Sequence, residues 1–481
     1  MKLSKKSRFA IGAALVVGFF GSRALWNRYR PLPEPTAGNV DRGEVAFSDS
    51  DLGSKEFFSI PRAIFDALPE IYPDLFVEGW QGIGFIPRES DPLGPPIGLV
   101  RVSVYGLESY AANCAICHTG RVAGKTIIGA PNANLNLHQF GISMFTSIKR
   151  PELTVEAVAA VAEQKGKPLG FVERQSIRAW IAIARNKIAK KDTKWFTTEL
   201  GPGRSDAINI WKRVLHVPEN GHLAWADIPT VYNQKLKTKT LLDGSLTGDS
   251  SVRAALTELE KGRPARDILV HRETFDDIMA YINGRLAPTP FPFPIDKAKA
   301  DRGQGIFNDS CSSCHGTYGP GAHTYPNRRV TSEQMGVDPE RALAMIPEMV
   351  DPVRQYGYAE LIKIDAQPAY IAPPLDGIWA TAPYLHNGSI PSLWHLLQEE
   401  SNRPTVFYRG FSEFDPKHVG NACEETAPHE CGMDAAQKKH DPRLIFRFDT
   451  SKSGNWNRGH RAGTTLPAEE KDALLEYLKT L

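Results

Sequence analysis

Apolar positions recur at helical spacing along much of the chain, most plainly at its end. Leu474, Leu475, Leu478 and Leu481 form one stripe behind Pro467, with Glu469 and Glu470 in the first turn. Proline is pre-shaped for the first helical position, and carboxylates suit the positive end of a helix. The same reading predicts helices over 155–164 and 171–190, one near 60–68, and helix again over 251–284. Asp296 caps another, on which Gly303 and Phe307 lie four apart on one face. A short helix is predicted from Glu108 to Ala112. Between 195 and 242 the periodicity lapses into long loops carrying Gly201-Pro202-Gly203-Arg204, Trp211, His216, His222 and Trp225. Residues 287–294, with proline at every second position from Pro288, read as a stiff extended linker and the best domain boundary.

The first thirty residues follow a different pattern. Lys2, Lys5, Lys6 and Arg8 precede an uncharged, mostly apolar run from Phe9 to Gly21, and Arg23, Arg28 and Arg30 follow. A basic start before a short apolar run is an export signal. The run falls short of the roughly twenty residues that span a bilayer. A buried N-terminal helix is disfavoured, because the run has no polar face. Residues 1–30 are therefore a signal peptide, cleaved near Ser22-Arg23-Ala24, or a signal anchor in the inner membrane. Either way the expected compartment is the periplasm. With a net charge of +2, the whole chain gives no case for a nucleic-acid partner. Its 40 glycines and 36 prolines, interspersed with aromatics, fit long shaped loops better than disorder.

Export changes the reading of the six cysteines, which fall into three pairs. Cys423 and Cys431 sit in the loop CEETAPHEC, and in an oxidising compartment they are expected to close a disulfide. A metal site using His429 between them lacks four firm ligands. The other pairs are Cys114-Ala-Ile-Cys117-His118 and Cys311-Ser-Ser-Cys314-His315. Two thiols three positions apart reach the two vinyl groups on one porphyrin edge, and the adjacent His turns under the ring to bind iron. By chance one such pentamer arises with probability of roughly 0.002 over this chain, and two with roughly one in a million. A thioredoxin-like redox pair needs neither the His nor a second copy. A zinc site shared by the two pairs needs ligands almost two hundred residues apart. The expectation is two covalently bound haem c groups in a mainly α-helical protein: two cytochrome-c-like haem domains with long loops and few strands. The N-terminal haem domain is 31–286 and the C-terminal cytochrome c domain 295–481.

Each iron has a second axial position. In a cytochrome c core the distal ligand comes from the loop before the C-terminal helix. No Met lies there, but Asn457-Arg458-Gly459-His460 does. His460 is thus the first choice for the second haem, with His386 as rival. For the first haem the nearest downstream candidate is His138, as ligand, pocket group or loop brace. Arg204 and Trp379 are further groups expected near the haems.

The segment Thr381-Ala-Pro-Tyr384-Leu-His386-Asn-Gly-Ser resembles the TAPYxH(N/D)G stretch of bacterial dihaem cytochrome c peroxidases. Pro202-Gly203-Arg204-Ser-Asp206, Ala226-Asp227-Ile-Pro229, and Arg403-Pro404 with Phe407 make the chain more similar to the dihaem rubber oxygenase group of that superfamily. The resemblance implies a six-coordinate second haem that transfers electrons and a first haem that binds O2 or peroxide. The chain is shorter than that resemblance leads one to expect, which argues against a polymer-binding groove. Residues 399–401 are polar where peroxidases place a Met ligand. The function classes are then a haem-dependent oxidoreductase of peroxidase or oxygenase type, acting on O2, peroxide or an organic substrate, and a pure electron carrier. A periplasmic redox partner is expected for both, and a membrane-tethered redox subunit is a weaker third reading.

Overall fold

The computed structural model describes residues 33–53, 59–104, 106–189, 199–256, 258, 265–319, 323–355 and 362–481. Residues 1–30, where an export signal is expected, lie outside them. Among the described residues no helix is long and apolar enough to cross a membrane.

The leucine stripe forms the helix Ala468–Leu478. Asp296 caps Lys297–Ser310, its Oδ1 accepting the Lys299 amide at 3.1 Å. These two helices cross at Gly303, where an added Cβ would lie 2.0 Å from the Ala473 carbonyl oxygen. The close approach lets Phe307 meet Tyr477, ring centroids 5.2 Å apart. Gly303→Ala should therefore destabilise the fold by about 1–3 kcal/mol through overpacking, read as a lowered denaturation midpoint.

The helices Arg62–Ile71, Val155–Gln164 and Phe171–Ala189 form close to their predicted places. Thr154 caps the second of them. Their apolar faces share one core, in which Phe65, Leu68, Val158 and Ile177 are buried. A second core gathers Val40–Asp49, Ala207–Val214 and Arg272–Gly284 around Phe47, Trp211 and Phe275.

Several expectations are corrected. Leu107–Ala112 is a strand, paired with Leu99–Val104 and Ser59–Pro61 in one antiparallel sheet. Val100, Val102 and Val104 alternate ahead of Gly106, so the neighbouring strand overrides the local preference of Glu108 to Ala112. The loop region 195–242 contains the amphipathic helix Ala207–Val214, which buries Ile208 and Trp211. The predicted helix 251–284 is broken into Ser250–Ala255, Ala265–Leu269 and Arg272–Gly284. Strands are more numerous than expected, although short. Among the described residues the largest sheet runs Glu424–Ala427, Glu430–Gly432, Val406–Arg409, Phe446–Asp449. The architecture is mainly helical, with small sheets between the helices.

The Pro-rich segment is packed against the C-terminal half. Thr289 accepts the Trp379 indole N–H at 2.9 Å, and Phe291 lies edge-on to that indole. Contacts also cross the segment. Leu246–Gly248 pairs with Ile362–Ile364, and the buried ion pair Arg341–Asp243 spans 2.7 Å.

Candidate haem centres

The helix Lys297–Ser310 ends at Cys311, and one helical turn, Ser312–His315, carries the rest of the second motif. The Cys311 carbonyl accepts the amides of Cys314 (3.1 Å) and His315 (3.0 Å), holding both sulfurs and the imidazole in one tight turn. Gly316 closes it at φ +82°; a Cβ there would meet the Thr324 carbonyl at 1.8 Å. The turn opens on a cavity of 310 Å³, within the range of small-molecule and cofactor sites. Its walls include Cys311, Cys314, Phe307, Leu393, Leu474 and Leu478. His315 Nδ1 lies 2.8 Å from the Pro373 carbonyl oxygen. With Nδ1–H donating there, Nε2 is the lone-pair nitrogen. Burial, followed by Cys314's charge, pushes the Cys311 thiol up to about 11. That is opposite to the lowered thiol pKa of a thioredoxin-type redox pair.

His460 lines the same cavity, its ring centroid 6.2 Å from that of His315. Two imidazoles each about 2 Å from one metal ion would have centroids roughly 6 Å apart. Burial, with a smaller contribution from His315, pushes His460 down to about 4, so at neutral pH it is an uncharged imidazole. Its backbone is tightly set. Gly459 has φ +75°, and a Cβ there would lie 2.4 Å from the Met335 carbonyl oxygen. The buried Arg403 spends its guanidinium on this loop. Nη1 donates to the carbonyls of Asn457 (2.6 Å) and Gly459 (2.8 Å), and Nη2 to those of His460 (3.2 Å) and Leu396 (3.1 Å). Nε donates to the Gln398 carbonyl at 3.1 Å. Glu400 Oε1 accepts the Gly459 amide at 3.0 Å and the Arg461 Nε–H at 2.8 Å. The polar 399–401 stretch thus braces the His460 loop.

The first motif repeats the arrangement. Cys114–Ile116 forms a 3-10 turn capped by Asn113, and the Cys114 carbonyl accepts the His118 amide at 3.1 Å. His118 Nδ1 lies 3.0 Å from the Pro229 carbonyl oxygen, as His315 Nδ1 does from Pro373. Burial pushes His118 down to about 4, again leaving a neutral ring. Pro229 belongs to the segment 226–230, which links the two centres. Its Asp227 amide donates to the His386 carbonyl at 2.8 Å, and residues 227–230 line the second cavity. Among the described residues the two CxxC pairs do not converge into one four-sulfur metal site.

The remaining sequence-predicted residues are spread out. His386 lines the second cavity but stacks on Tyr370 at 4.0 Å, and burial pushes it down to about 3. It is His460, not His386, whose ring meets that of His315. His138 is buried in the first turn of Leu137–Lys149. Arg204 is fully buried, donates to Asn455 Oδ1 at 2.8 Å and sits against Trp225 and Phe448. Arg204 lies outside the cavity lining, and so does Trp379, which packs on Phe291 and Phe414. The Trp379 indole anchors the Pro-rich segment. Cys423 and Cys431 are joined as a disulfide, Cα atoms 5.0 Å apart.

Sequence reasoning missed the two Pro carbonyls, the bracing role of Arg403, and the buried Arg409–Asp227 ion pair at 2.9 Å. Arg403 and Asp227 stand in the quoted motifs, which was the available signal.

Two family models match within the C-terminal half, one of them across the second CxxCH motif. Residues 300–388 match the family model described as Cytochrome c, and residues 369–408 the one described as RoxA-like, cytochrome c-like. Two proteins of Sinorhizobium fredii are similar to the chain. The uncharacterised protein y4iM is 30% identical over 289 residues, 53% of this chain and 64% of that protein. The uncharacterised protein y4iJ is 26% identical over 482 residues, 78% of this chain and 77% of that protein. The match to y4iM thus spans less than two thirds of that relative's length. A solved structure of Kuenenia stuttgartiensis hydrazine synthase aligns at 17% identity and a TM-score of 0.25, covering 55% of this chain and 75% of that one. Likeness at that level carries no argument. The family matches point to a haem redox protein of cytochrome c type. The particular chain carries a cytochrome-c-like domain with a RoxA-like segment, and that domain implies covalently bound haem c. The residues present fit the group: two sulfurs in one turn, a neutral imidazole beside them, a second imidazole at the spacing of a shared metal ion, and apolar walls.

Proposed function

We propose that the chain is an exported dihaem c-type cytochrome in which the two centres differ. The second is six-coordinate, with His315 and His460 as axial ligands, and exchanges electrons. The first, on Cys114, Cys117 and His118, keeps an exchangeable position for O2 or peroxide. The observation that carries the reading is the pair of neutral imidazoles, 6.2 Å apart, over a cysteine-bearing turn. When bound, haem supplies one-electron redox chemistry tuned by its axial ligands and surroundings. The chain's own residues do the rest. Pro229 and Pro373 orient the proximal imidazoles, Arg403 and Glu400 fix the His460 loop, and Phe307, Leu474 and Leu478 keep water from the second pocket. The reading also supplies an oxidoreductase activity, a periplasmic redox partner and export by the N-terminal segment. A pure electron carrier is the alternative, favoured by the His315–His460 pairing itself, since bis-imidazole iron has no open position.

Haem counting tests the foundation. Pyridine haemochrome assay should give two haems per chain, retained on the protein in acidified acetone. Replacing Cys114 and Cys117 by Ser should reduce the count to one. One haem in the unaltered chain would overturn the dihaem reading.

A further inference from the structure

A cluster of soft ligands lies behind the second cavity. A ring nitrogen of His395 and the sulfurs of Cys423 and Cys431 all lie within 4.8 Å of one another. His395 belongs to the turn Leu393–Leu396, whose Leu393 and Leu396 line the cavity. His395 and Cys431 are buried, whereas Cys423 is half-buried. Ser392 Oγ lies 2.6 Å from His395 Nδ1 and fixes the ring. A hydrogen bond at the other ring nitrogen is the usual companion of a metal-ligating His. Burial pushes His395 down to about 4, leaving it neutral and free to ligate at physiological pH. A second imidazole, His418, stands with its centroid 6.4 Å from that of His395 and its Nδ1 2.7 Å from Asp415 Oδ2. Nothing in the proposed haem chemistry uses these groups.

We infer that Cys423, Cys431 and His395 form a redox-gated zinc site, closed while the disulfide stands and open when it is reduced. Two thiolates and one imidazole are a set that zinc accepts, with water in the fourth position. Charge favours zinc over a monovalent thiophilic ion. Two thiolates with Zn²⁺ sum to zero, which suits the apolar cluster of Phe407, Phe446 and Phe448 around the sulfurs. The gate is thiol–disulfide exchange with a dithiol reductant. The reductant's two S–H bonds and the Cys423–Cys431 bond break, one S–S bond forms in the reductant, and two protons and two electrons pass to the cysteines. Exchange starts at the accessible sulfur, here Cys423. Zinc then displaces the two thiol protons to solvent. Oxidation by a disulfide of higher potential reverses both steps and expels the ion.

The test uses the full haem-loaded protein. One sample is left oxidised; the other is reduced anaerobically with a phosphine and desalted. Both are dialysed against Zn²⁺ alone, and zinc and iron per chain are measured. The site requires about one more zinc per chain in the reduced sample. His395→Gln, which leaves the disulfide intact, should weaken that binding about 10- to 100-fold. Alkylation should find no free thiol at 423 or 431 in the oxidised variant and two after reduction, showing that the loop is formed. Equal zinc in the oxidised and reduced samples, no zinc in a sample whose two thiols alkylate, or undiminished binding by His395→Gln would each overturn the inference.

Discussion

Replacing His460 with Ala is expected to convert the second haem from low to high spin and leave the first unchanged. The ring of His460 is the group that meets His315 across the cavity, and His386 is held against Tyr370. Among the described residues His386 is the one other imidazole lining the cavity, and its stacking on Tyr370 keeps it from taking over, so the vacated position should fill with water or stay open. Optical and electron paramagnetic resonance spectra would show about half the haem signal changing, and added imidazole should restore it. His386→Ala should leave the spin state alone. A low-spin His460→Ala protein, or a high-spin His386→Ala protein, would reverse the assignment.

Arg403→Met is expected to have the second large effect, because one buried guanidinium holds five carbonyl oxygens from two segments. Hydrogen bonds to charged groups contribute about 1.5–3 kcal/mol each, and buried acceptors left without donors carry a desolvation cost. The variant should lose at least about 3 kcal/mol of stability in chemical denaturation. A purely structural role would end there. A positioning role requires more: below the unfolding transition the second haem should lose low-spin character, and Arg403→Lys should recover only part of it. The reason is that an ammonium has three donors and no planar fork. A destabilised variant with an unaltered haem spectrum would leave Arg403 as a brace of the fold alone.

What could be read from the sequence was local. The cap at Asp296 and the leucine stripe lie within a few residues and take the expected form, and each CxxCH motif folds as one tight turn. His460 could be picked out as a candidate because its position relative to the C-terminal helix is itself local. The groups that orient the imidazoles were not legible. His118 reaches Pro229 over 111 residues and His315 reaches Pro373 over 58, so equivalent contacts have unequal spacing and leave no repeat. Residues 399–401 show the same limit. Their polarity spoke against a Met ligand, but only the fold shows Glu400 holding Gly459 and Arg461. The packing of Trp379 was not legible either. The residue stands in a motif-like stretch, yet its indole packs on the Pro-rich segment. Leu107–Ala112 was misread because the strand beside it, not its own composition, decides its conformation.

The asymmetry between the centres is the central claim, and carbon monoxide binding to the fully reduced native protein tests it most directly. The account gives one carbon monoxide per chain, that is, one for every two haems, taken up by the haem on Cys114 and Cys117. Its binding should survive Cys311→Ser/Cys314→Ser and vanish in Cys114→Ser/Cys117→Ser. Uptake of two per chain would contradict a six-coordinate second haem. No uptake at all would contradict the open first haem and leave the protein an electron carrier.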